Sequence, residues 1–403
     1  MRNGHWLGEI APWLMLAAAA SIVVSIAVSQ ILLGLALIAL VGSRVRLRFP
    51  PVGAPLFLFL GLTLVSMLLS GDPGAGLPQV RKFFVFSVLL VVSSVLLEAR
   101  QARWLVAAWT ALATLSALRS VVQFGRKVEL ARARGEDFYQ SYVGERITGF
   151  LSHWMTFSEV GMLVLLALLS YLWFATGIGR RSRWLGSLAV LVLLLSLLVS
   201  FTRAIWLGTA AAVCYLVWHW RRKLLLAAPV VVAVLLLASP GAMQRRLRSI
   251  VEGRSDSSIQ ARLIMWRTGW RMIQERPWLG VGPERVGREF ERYVPADAGP
   301  LPPAFYGHLH NLYIHYAAER GVLALAALMW LFSRVIWDHW RALRSAAGED
   351  RFILHAVLAA TLALLVTGMF DVNLGDSEVL TFFLILVALG YNAIRRQEAA
   401  GGA

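Results

Sequence analysis

The sequence predicts an all-α, polytopic membrane protein with about 12 transmembrane helices and one large loop that contains helices of its own. Of the 403 residues, 58% are apolar, and the mean hydropathy is +0.65, well above that of a soluble domain of this length. The apolar residues form stretches close to the ~20 residues that a helix needs to cross the hydrocarbon core. Because backbone groups in lipid must be hydrogen-bonded within their own segment, these stretches are expected to be helices.

The predicted spans follow one another along nearly the whole chain. The first apolar stretch, from Ala11 to about Val41, is too long for a secretory signal and is expected to be retained as two spans. The twelve spans are predicted at residues 8–25, 27–43, 52–70, 78–98, 102–123, 153–176, 184–201, 204–220, 223–239, 311–336, 351–370 and 377–395.

The arginines in the short loops predict the orientation. Loops 42–50, 98–103, 179–183, 219–223 and 334–351 and the C-terminal tail are rich in arginine, and the positive-inside rule puts such loops in the cytoplasm. Both termini are then cytoplasmic. The chain divides into spans one to nine (1–239), a large outer loop (240–309), and spans ten to twelve with the tail (310–403).

Several function classes lack their signatures in this sequence. The single cysteine, Cys214, falls in a predicted span, so a disulfide framework or a thiolate metal site is excluded. The sequence contains no glycine-rich phosphate loop, nucleotide fingerprint or CxxC pair. No cofactor, metal or nucleic-acid partner is expected, and chemistry is expected at the outer boundary between membrane and water.

Arginine dominates the basic residues. The formal net charge is +16, and 39 residues are lysine or arginine, with lysine only at Lys82, Lys127 and Lys223. A GC-rich coding sequence would explain this without any function. Alternatively, some arginines bind phosphate, since the guanidinium fork matches phosphate oxygens and stays charged near a membrane.

Cationic residues gather at the predicted outer ends of the spans. Arg81 and Lys82 begin span four, and Arg146 lies at the mouth of span six. Arg81 and Lys82 have a simpler explanation, which is snorkelling to the interface. Arg203 stands alone in a very short turn between two apolar helices, where a charge is costly without a partner, and this favours a functional role.

The large loop predicts one amphipathic helix at the membrane surface. Its apolar residues recur at the 3.6-residue spacing of a helix, and Pro277 supplies the end. Arg262 and Trp266 are one turn apart, so Arg262 is the arginine expected nearest the bundle. The apolar positions are Ile259, Leu263, Trp266, Trp270 and Ile273.

A histidine cluster opens span ten, in the stretch "GHLHNLYIHYAAERG". His310 and Gly321 are eleven residues apart, about three helical turns, which predicts that they share one stripe of a continuous helix. A histidine held in this way is a plausible general base, because a neutral imidazole accepts a hydroxyl proton near neutral pH. The alternative is a purely interfacial histidine among neighbouring tyrosines. The cluster of His308, His310 and His315 resembles a metal site, but His310 is the preferred functional residue and the other two are expected to support it.

These motifs resemble the O-antigen ligase family, within a superfamily that also holds O-antigen polymerases and protein O-oligosaccharyltransferases. The family pattern is a histidine, then Asn, Ser or Gln, then nine residues and a glycine, which here are His310, Asn311 and Gly321. The resemblance extends to "SFTRAIWLG", "GERITGFLSH" and "RLIMWRTGW…ERPWLGVGP". A further glycine often follows in the family where this chain has Ala324.

The resemblance implies glycosyl transfer at the periplasmic side of the inner membrane of a Gram-negative bacterium. The donor would be O-antigen on undecaprenyl pyrophosphate, and the acceptor a sugar hydroxyl of lipid A-core, both reached from the membrane lipids. The transfer would be metal-independent and would invert the anomeric centre. By analogy, His310 is the essential histidine and Arg203 and Arg262 are the essential arginines. The expected substrate-binding residues are Arg146, Arg81, Lys82, Asn311, His308 and Trp266.

Three other functions stay open at this point. An O-antigen polymerase would use the same donor with a growing chain as acceptor, and the His-Asn-x9-Gly pattern favours a ligase over it. A protein O-oligosaccharyltransferase is less favoured, because the large C-terminal region of that group is missing. A small-anion transporter is a more remote alternative. Transporters place their charges near the midplane on broken helices, whereas the polar residues of this sequence collect at one boundary of the membrane and most predicted spans are uninterrupted.

Overall fold

The computed structural model describes residues 5–227, 229, 244, 257–301, 304 and 306–401, and its regular elements are helices. They are α1 (His5–Ser21), α2 (Ile26–Gly42), α3 (Gly53–Leu68), α4 (Leu77–Arg81), α5 (Ser87–Val95), α6 (Ala99–Arg134), α7 (Phe138–Gly144), α8 (Trp154–Phe174), α9 (Arg180–Val199), α10 (Arg203–Arg221), α11 (Ser257–Glu275), α12 (Val286–Tyr293), α13 (Leu312–Arg320), α14 (Val322–Leu343), α15 (Asp350–Thr367) and α16 (Ser377–Gly401). Short 3-10 helices cover Pro73–Gly76, Lys82–Phe86, Arg222–Ala227, Ala296–Ala298 and Asn373–Gly375.

The described helices form a multi-pass membrane bundle. Seven helical segments of this part are long and apolar enough to cross a membrane, and α2 and α3 are shorter apolar helices. A described α-helix lies at every predicted span except the ninth, at 223–239, of which the structure describes only 223–227, in a 3-10 helix, and residue 229. The prediction of an all-α polytopic membrane protein is confirmed.

The centre of the bundle is formed by α8, α15 and α16, which are buried over most of their length. Helices α8 and α10 both pack against α15, while α5 packs against α16. Helix α9 illustrates the periphery, because one stripe of it is exposed at helical spacing: Trp184, Leu188, Leu191 and Leu195. Such an apolar outer stripe suits contact with lipid.

Two spans differ from the prediction in their helical continuity. Predicted span four is assembled from short helical pieces between Pro73 and Val95, including a 3-10 turn that begins at Lys82. Predicted span five lies within a helix of 36 residues, so that the chain continues as a helix beyond the predicted end of this span, up to Arg134. Gly135, in the left-handed conformation, ends this helix.

Span ten was predicted as one helix over 311–336, and this is wrong. The structure divides it into α13 and α14 at Gly321, which has φ +88°. Helix α13 starts only at Leu312, with Asn311 as its N-cap, so His310 lies before the helix. His310 and Gly321 therefore do not share a helical stripe.

The break has a physical cause in the loop that follows α11. The backbone N–H groups of Val281 and Gly282 donate to the carbonyls of Ala318 and Glu319, each at 2.8 Å, and Val322 N–H donates to Pro277 O at 2.8 Å. A continuous helix would have used those two carbonyls internally. The loop instead pairs with them, and glycine is required where the two backbones meet.

Gly321→Ala is expected to destabilise the protein by about 2–4 kcal/mol, because both the positive φ and the contact resist a side chain. A Cβ at this position would lie 1.9 Å from the Trp278 carbonyl oxygen. The matched control is Gly61→Ala in α3, where a Cβ meets nothing within 4 Å. Thermal unfolding of the purified protein should show a lowered midpoint for the first variant and an unchanged or raised one for the control. Equal midpoints would contradict this explanation of the break.

Helices α11, α12 and α13 share a second, smaller core. Helix α11 contributes Ala261, Met265 and Met272 to this core, helix α12 contributes Phe290, and helix α13 contributes Ala318. The predicted helix is therefore present as α11, and one face of it packs against α12 and α13. Part of its predicted apolar stripe points away from this core, since Leu263 and Trp270 are exposed. Contact of that stripe with a membrane surface stays a prediction.

Candidate active site

A cavity of about 740 Å³ opens at the end of the bundle where the predicted outer loops meet. Its size lies within the range of small-ligand sites. Its walls come from segments far apart in sequence: the start of α8, the start of α10, helix α11, the stretch before α13 and the turn between α15 and α16. Six residues expected at the site line it: Lys82, Arg146, Arg203, Arg262, His308 and His310.

His310 is held in an unusual backbone conformation. Its φ is +46°, in the left-handed region that few residues other than glycine and asparagine adopt. The next residue, Asn311, accepts from Ile314 N–H and donates to Met369 O, both at 3.0 Å, and Leu312 N–H donates to Gly368 O at 2.7 Å. These bonds fasten the start of α13 to the α15–α16 turn and so fix the position of His310.

His310 faces the buried carboxylate of Asp371. Its Nδ1 lies 3.6 Å from Asp371 Oδ1 and makes no hydrogen bond. Burial would raise the pKa of Asp371, but the imidazoles of His310 and His308 and the backbone N–H of Val372 together outweigh it, so that the pKa lies below its usual value. An ionised carboxylate beside an imidazole orients the ring and stabilises the imidazolium form. The pair therefore has the composition of a general base, His310, supported by a carboxylate, Asp371.

His308 lies beside His310. The two ring centroids are 4.1 Å apart, and His310 N–H donates to His308 Nδ1 at 3.3 Å. Burial, together with the neighbouring His310, lowers the pKa of His308 to about 3, so His308 is neutral at neutral pH. One ligand atom from each of His308, His310 and Asp371 lies within 4.8 Å of the others, so these residues could hold a metal ion. The sequence had not predicted such a group.

Two arginines line the cavity near the start of α10. Arg203 is the first residue of α10 and is buried, with 8% of its surface exposed. Arg146 donates to the Thr202 hydroxyl at 3.4 Å, and its guanidinium lies 5.5 Å from the centre of the Trp154 ring. Helix α10 adds the partial positive charge of its N-terminus at the same place. The combination favours an anionic ligand.

Arg262 and Lys82 complete the cationic lining. Arg262 projects from α11, next to Ala261 and Met265, which also line the cavity. Lys82 Nζ donates to Gly375 O at 2.8 Å, which ties its ammonium to the α15–α16 turn. The four cations therefore come from four separate segments of the chain.

Backbone strain is concentrated around this cavity. Among the residues that the structure describes, the non-glycine residues with positive φ are Phe201, Glu284 and His310. Glu284 and His310 line the cavity, and Phe201 immediately precedes the lining residue Thr202. Each such conformation costs about 1–3 kcal/mol and persists only where the surroundings enforce it. This clustering is typical of functional sites.

Three of the expected binding residues do not line the cavity. Arg81 is exposed. Trp266 packs against the second core, and Asn311 uses its side-chain amide within the protein, as described above. Any direct contact of these three residues with a substrate stays a prediction.

Several acidic residues of the cavity were not among the expected site residues. Asp371 lies in the short turn between two long apolar helices, where a carboxylate is itself a signal. Glu319 Oε1 lies 3.7 Å from His315 Nε2 and accepts from Glu284 N–H at 2.8 Å. Asp376 accepts from the Thr156 hydroxyl at 2.6 Å. Their convergence depends on contacts between distant segments.

The fold and the site together define a multi-pass, all-helical membrane protein with a cavity at one end of the bundle that is lined by histidines, by four cationic side chains and by as many carboxylates. The family model described as O-antigen ligase matches residues 188–329, about a third of the chain. The match confirms the resemblance for the segment that carries Arg203, Arg262 and His310, whereas Arg146 and Asp371 lie outside it. A comparison with curated proteins gives no match.

Proposed function

We propose that the protein is an O-antigen ligase at the periplasmic face of the inner membrane of a Gram-negative bacterium. It would transfer O-antigen polysaccharide from undecaprenyl pyrophosphate to a sugar hydroxyl of lipid A-core. The observation that carries the proposal is the convergence of His310 with Arg146, Arg203 and Arg262 on one cavity. This set combines a base with several cations, which is what the transfer from a pyrophosphate needs.

In this mechanism His310 is the general base. It accepts the proton of the acceptor hydroxyl while that oxygen attacks the anomeric carbon of the donor. The bond between that carbon and the pyrophosphate oxygen breaks, the electron pair leaves with undecaprenyl pyrophosphate, and the anomeric configuration is inverted. Asp371, 3.6 Å from His310 Nδ1, stabilises the imidazolium that forms.

The arginines stabilise the leaving group. Negative charge grows on the pyrophosphate as the glycosidic bond breaks, and fixed cations in a site with little water stabilise that charge in the transition state. Guanidinium groups bind phosphate oxygens through two parallel hydrogen bonds, which orients as well as neutralises them. Burial of Arg203 makes it the cation best held for this task.

A second, smaller cavity of about 40 Å³ adjoins the first. It is lined mainly by apolar residues of α3, α14, α16 and the segment around Phe83, and it shares Gln79 and Lys82 with the larger cavity. This volume is too small for an isoprenoid chain, so the cavity does not favour a lipid-linked donor. His310 and the arginines suit the polymerase alternative equally, because a polymerase uses the same donor.

The experiment that tests the function incubates the purified protein with lipid-linked O-antigen and lipid A-core. Lipopolysaccharide capped with O-antigen is the expected product. Elongation of the lipid-linked chain in place of capping would identify a polymerase. Absence of any new glycosidic bond, together with anion flux in vesicles, would overturn the proposal in favour of a transporter.

A further inference from the structure

We propose that His308, His310 and Asp371 form a binding site for Zn²⁺ or a similar transition-metal ion, and that the bound ion inhibits the protein. The binding rests on the geometry of these three side chains. The inhibition rests on the proposed function, because it requires His310 to be the base.

The distances suit a zinc ion. Zinc binds histidine nitrogen and carboxylate oxygen at about 2.0–2.2 Å, so neighbouring ligand atoms of a tetrahedral site lie about 3.4 Å apart. His310 Nδ1 and Asp371 Oδ1 are already 3.6 Å apart. The three ligand atoms lie within 4.8 Å of one another, so the side chains have to approach by about 1 Å to reach this spacing.

The ligand types and their setting favour the same class of ion. Two imidazoles and one carboxylate suit zinc and its neighbours, whereas Mg²⁺ and Ca²⁺ prefer oxygen ligands. His310 Nδ1 is buried without a hydrogen-bond partner, so a metal ion would replace no existing bond of that atom. All three residues line the cavity, so a fourth position would be open to water or to a substrate oxygen.

A metal ion bound here takes away the base. A neutral imidazole has one nitrogen that carries a proton and one with a free lone pair. For Nε2 of His310 to accept a proton from the acceptor, its Nδ1 must carry the hydrogen that points at Asp371. When a metal ion binds Nδ1, the neutral imidazole carries its hydrogen on Nε2 instead. Nε2 then has no lone pair to accept the proton of the acceptor hydroxyl. The metal ion and the reaction therefore compete for one imidazole.

Binding is tested with the purified full chain and without any sugar substrate. Zinc binding is measured by competition with a chromogenic chelator, and Co²⁺ is added separately to follow its ligand-field absorption. We expect one ion per chain, and at least a tenfold loss of affinity in His308→Gln and in Asp371→Asn. The matched control is His153→Asn, which changes another histidine of the same cavity outside the cluster and keeps an oxygen that can cap α8.

The outcomes separate the two halves of the proposal. Unchanged zinc affinity in both cluster variants, with thermal unfolding midpoints like that of the parent, would overturn the site. In the transfer assay, added zinc should slow the reaction, excess chelator should restore it, and chelator alone should leave the rate unchanged. A rate that falls with chelator and returns with zinc would overturn the inhibition. Zinc that binds without slowing transfer would contradict the assignment of His310 as the base and leave the site standing.

Discussion

His310→Asn is expected to lower the rate of transfer by about 10²–10⁴-fold, the usual contribution of a general base. Asparagine is the informative replacement, since it tolerates the left-handed conformation of residue 310 (φ +46°) and has no basic nitrogen. His310→Ala should lose as much activity and some stability, because alanine resists that conformation. The measurement is the initial rate of O-antigen capping, beside thermal unfolding midpoints of both variants.

Activity and folding must be judged together in this experiment. A folded His310→Asn variant with near-parental transfer would remove the base from the mechanism. A variant that fails to fold is replaced by His310→Gly, which is relaxed at positive φ and equally lacks the imidazole. The control is His219→Gln. His219 lies in the last turn of α10, at the opposite end of the helix from Arg203, so this variant is expected to keep full activity.

Arg203→Ala should lower the rate by about 10²–10³-fold, the range found when one fixed donor to a developing negative charge is removed. Arg203→Lys should recover only part of this loss, since an ammonium keeps the charge and loses the two-pronged hydrogen bonding. The deficit is expected mainly in kcat, because the arginine meets more negative charge in the transition state than in the bound donor.

The matched control for Arg203 is another arginine near the same cavity. Arg267 lies on α11, is exposed, and pairs with Asp297 at 2.7 Å. Arg267→Ala is expected to leave transfer unchanged, because a pair in solvent contributes little. Equal losses in the two variants would point to overall charge as the cause. An unchanged kcat with a raised KM in Arg203→Ala would restrict Arg203 to holding the donor.

The sequence predicted the helical bundle well because a local property determines it. A stretch such as 184–201 is apolar for the length of a bilayer, and it folds as α9 at almost the same residues. The interruption at Gly321 was not predictable in this way. It depends on the loop around Trp278, which is more than 40 residues earlier in sequence, and only the glycine itself hints at it.

The site was predictable in its cations and its histidine but less so in its carboxylates. Arg203 and Arg146 stand out because a charge beside apolar spans is costly and so is noticed. Asp371 gains its meaning only from His310, and that pair is formed by the packing of α13 against the α15–α16 turn. Trp266 illustrates a different limit, since its helical spacing is correct and yet its side chain packs against the second core and does not line the cavity.

The strained residues around the cavity have a consequence for the history of the protein. Phe201, Glu284 and His310 each occupy a conformation that glycine would adopt without penalty. At residue 310 glycine would relieve the strain, so His310→Gly is expected to be more stable and inactive. Phe201 is different, because it is buried among aromatic rings and glycine there would leave a cavity that costs more than the strain. The histidine at residue 310 is what a trade-off between stability and activity produces.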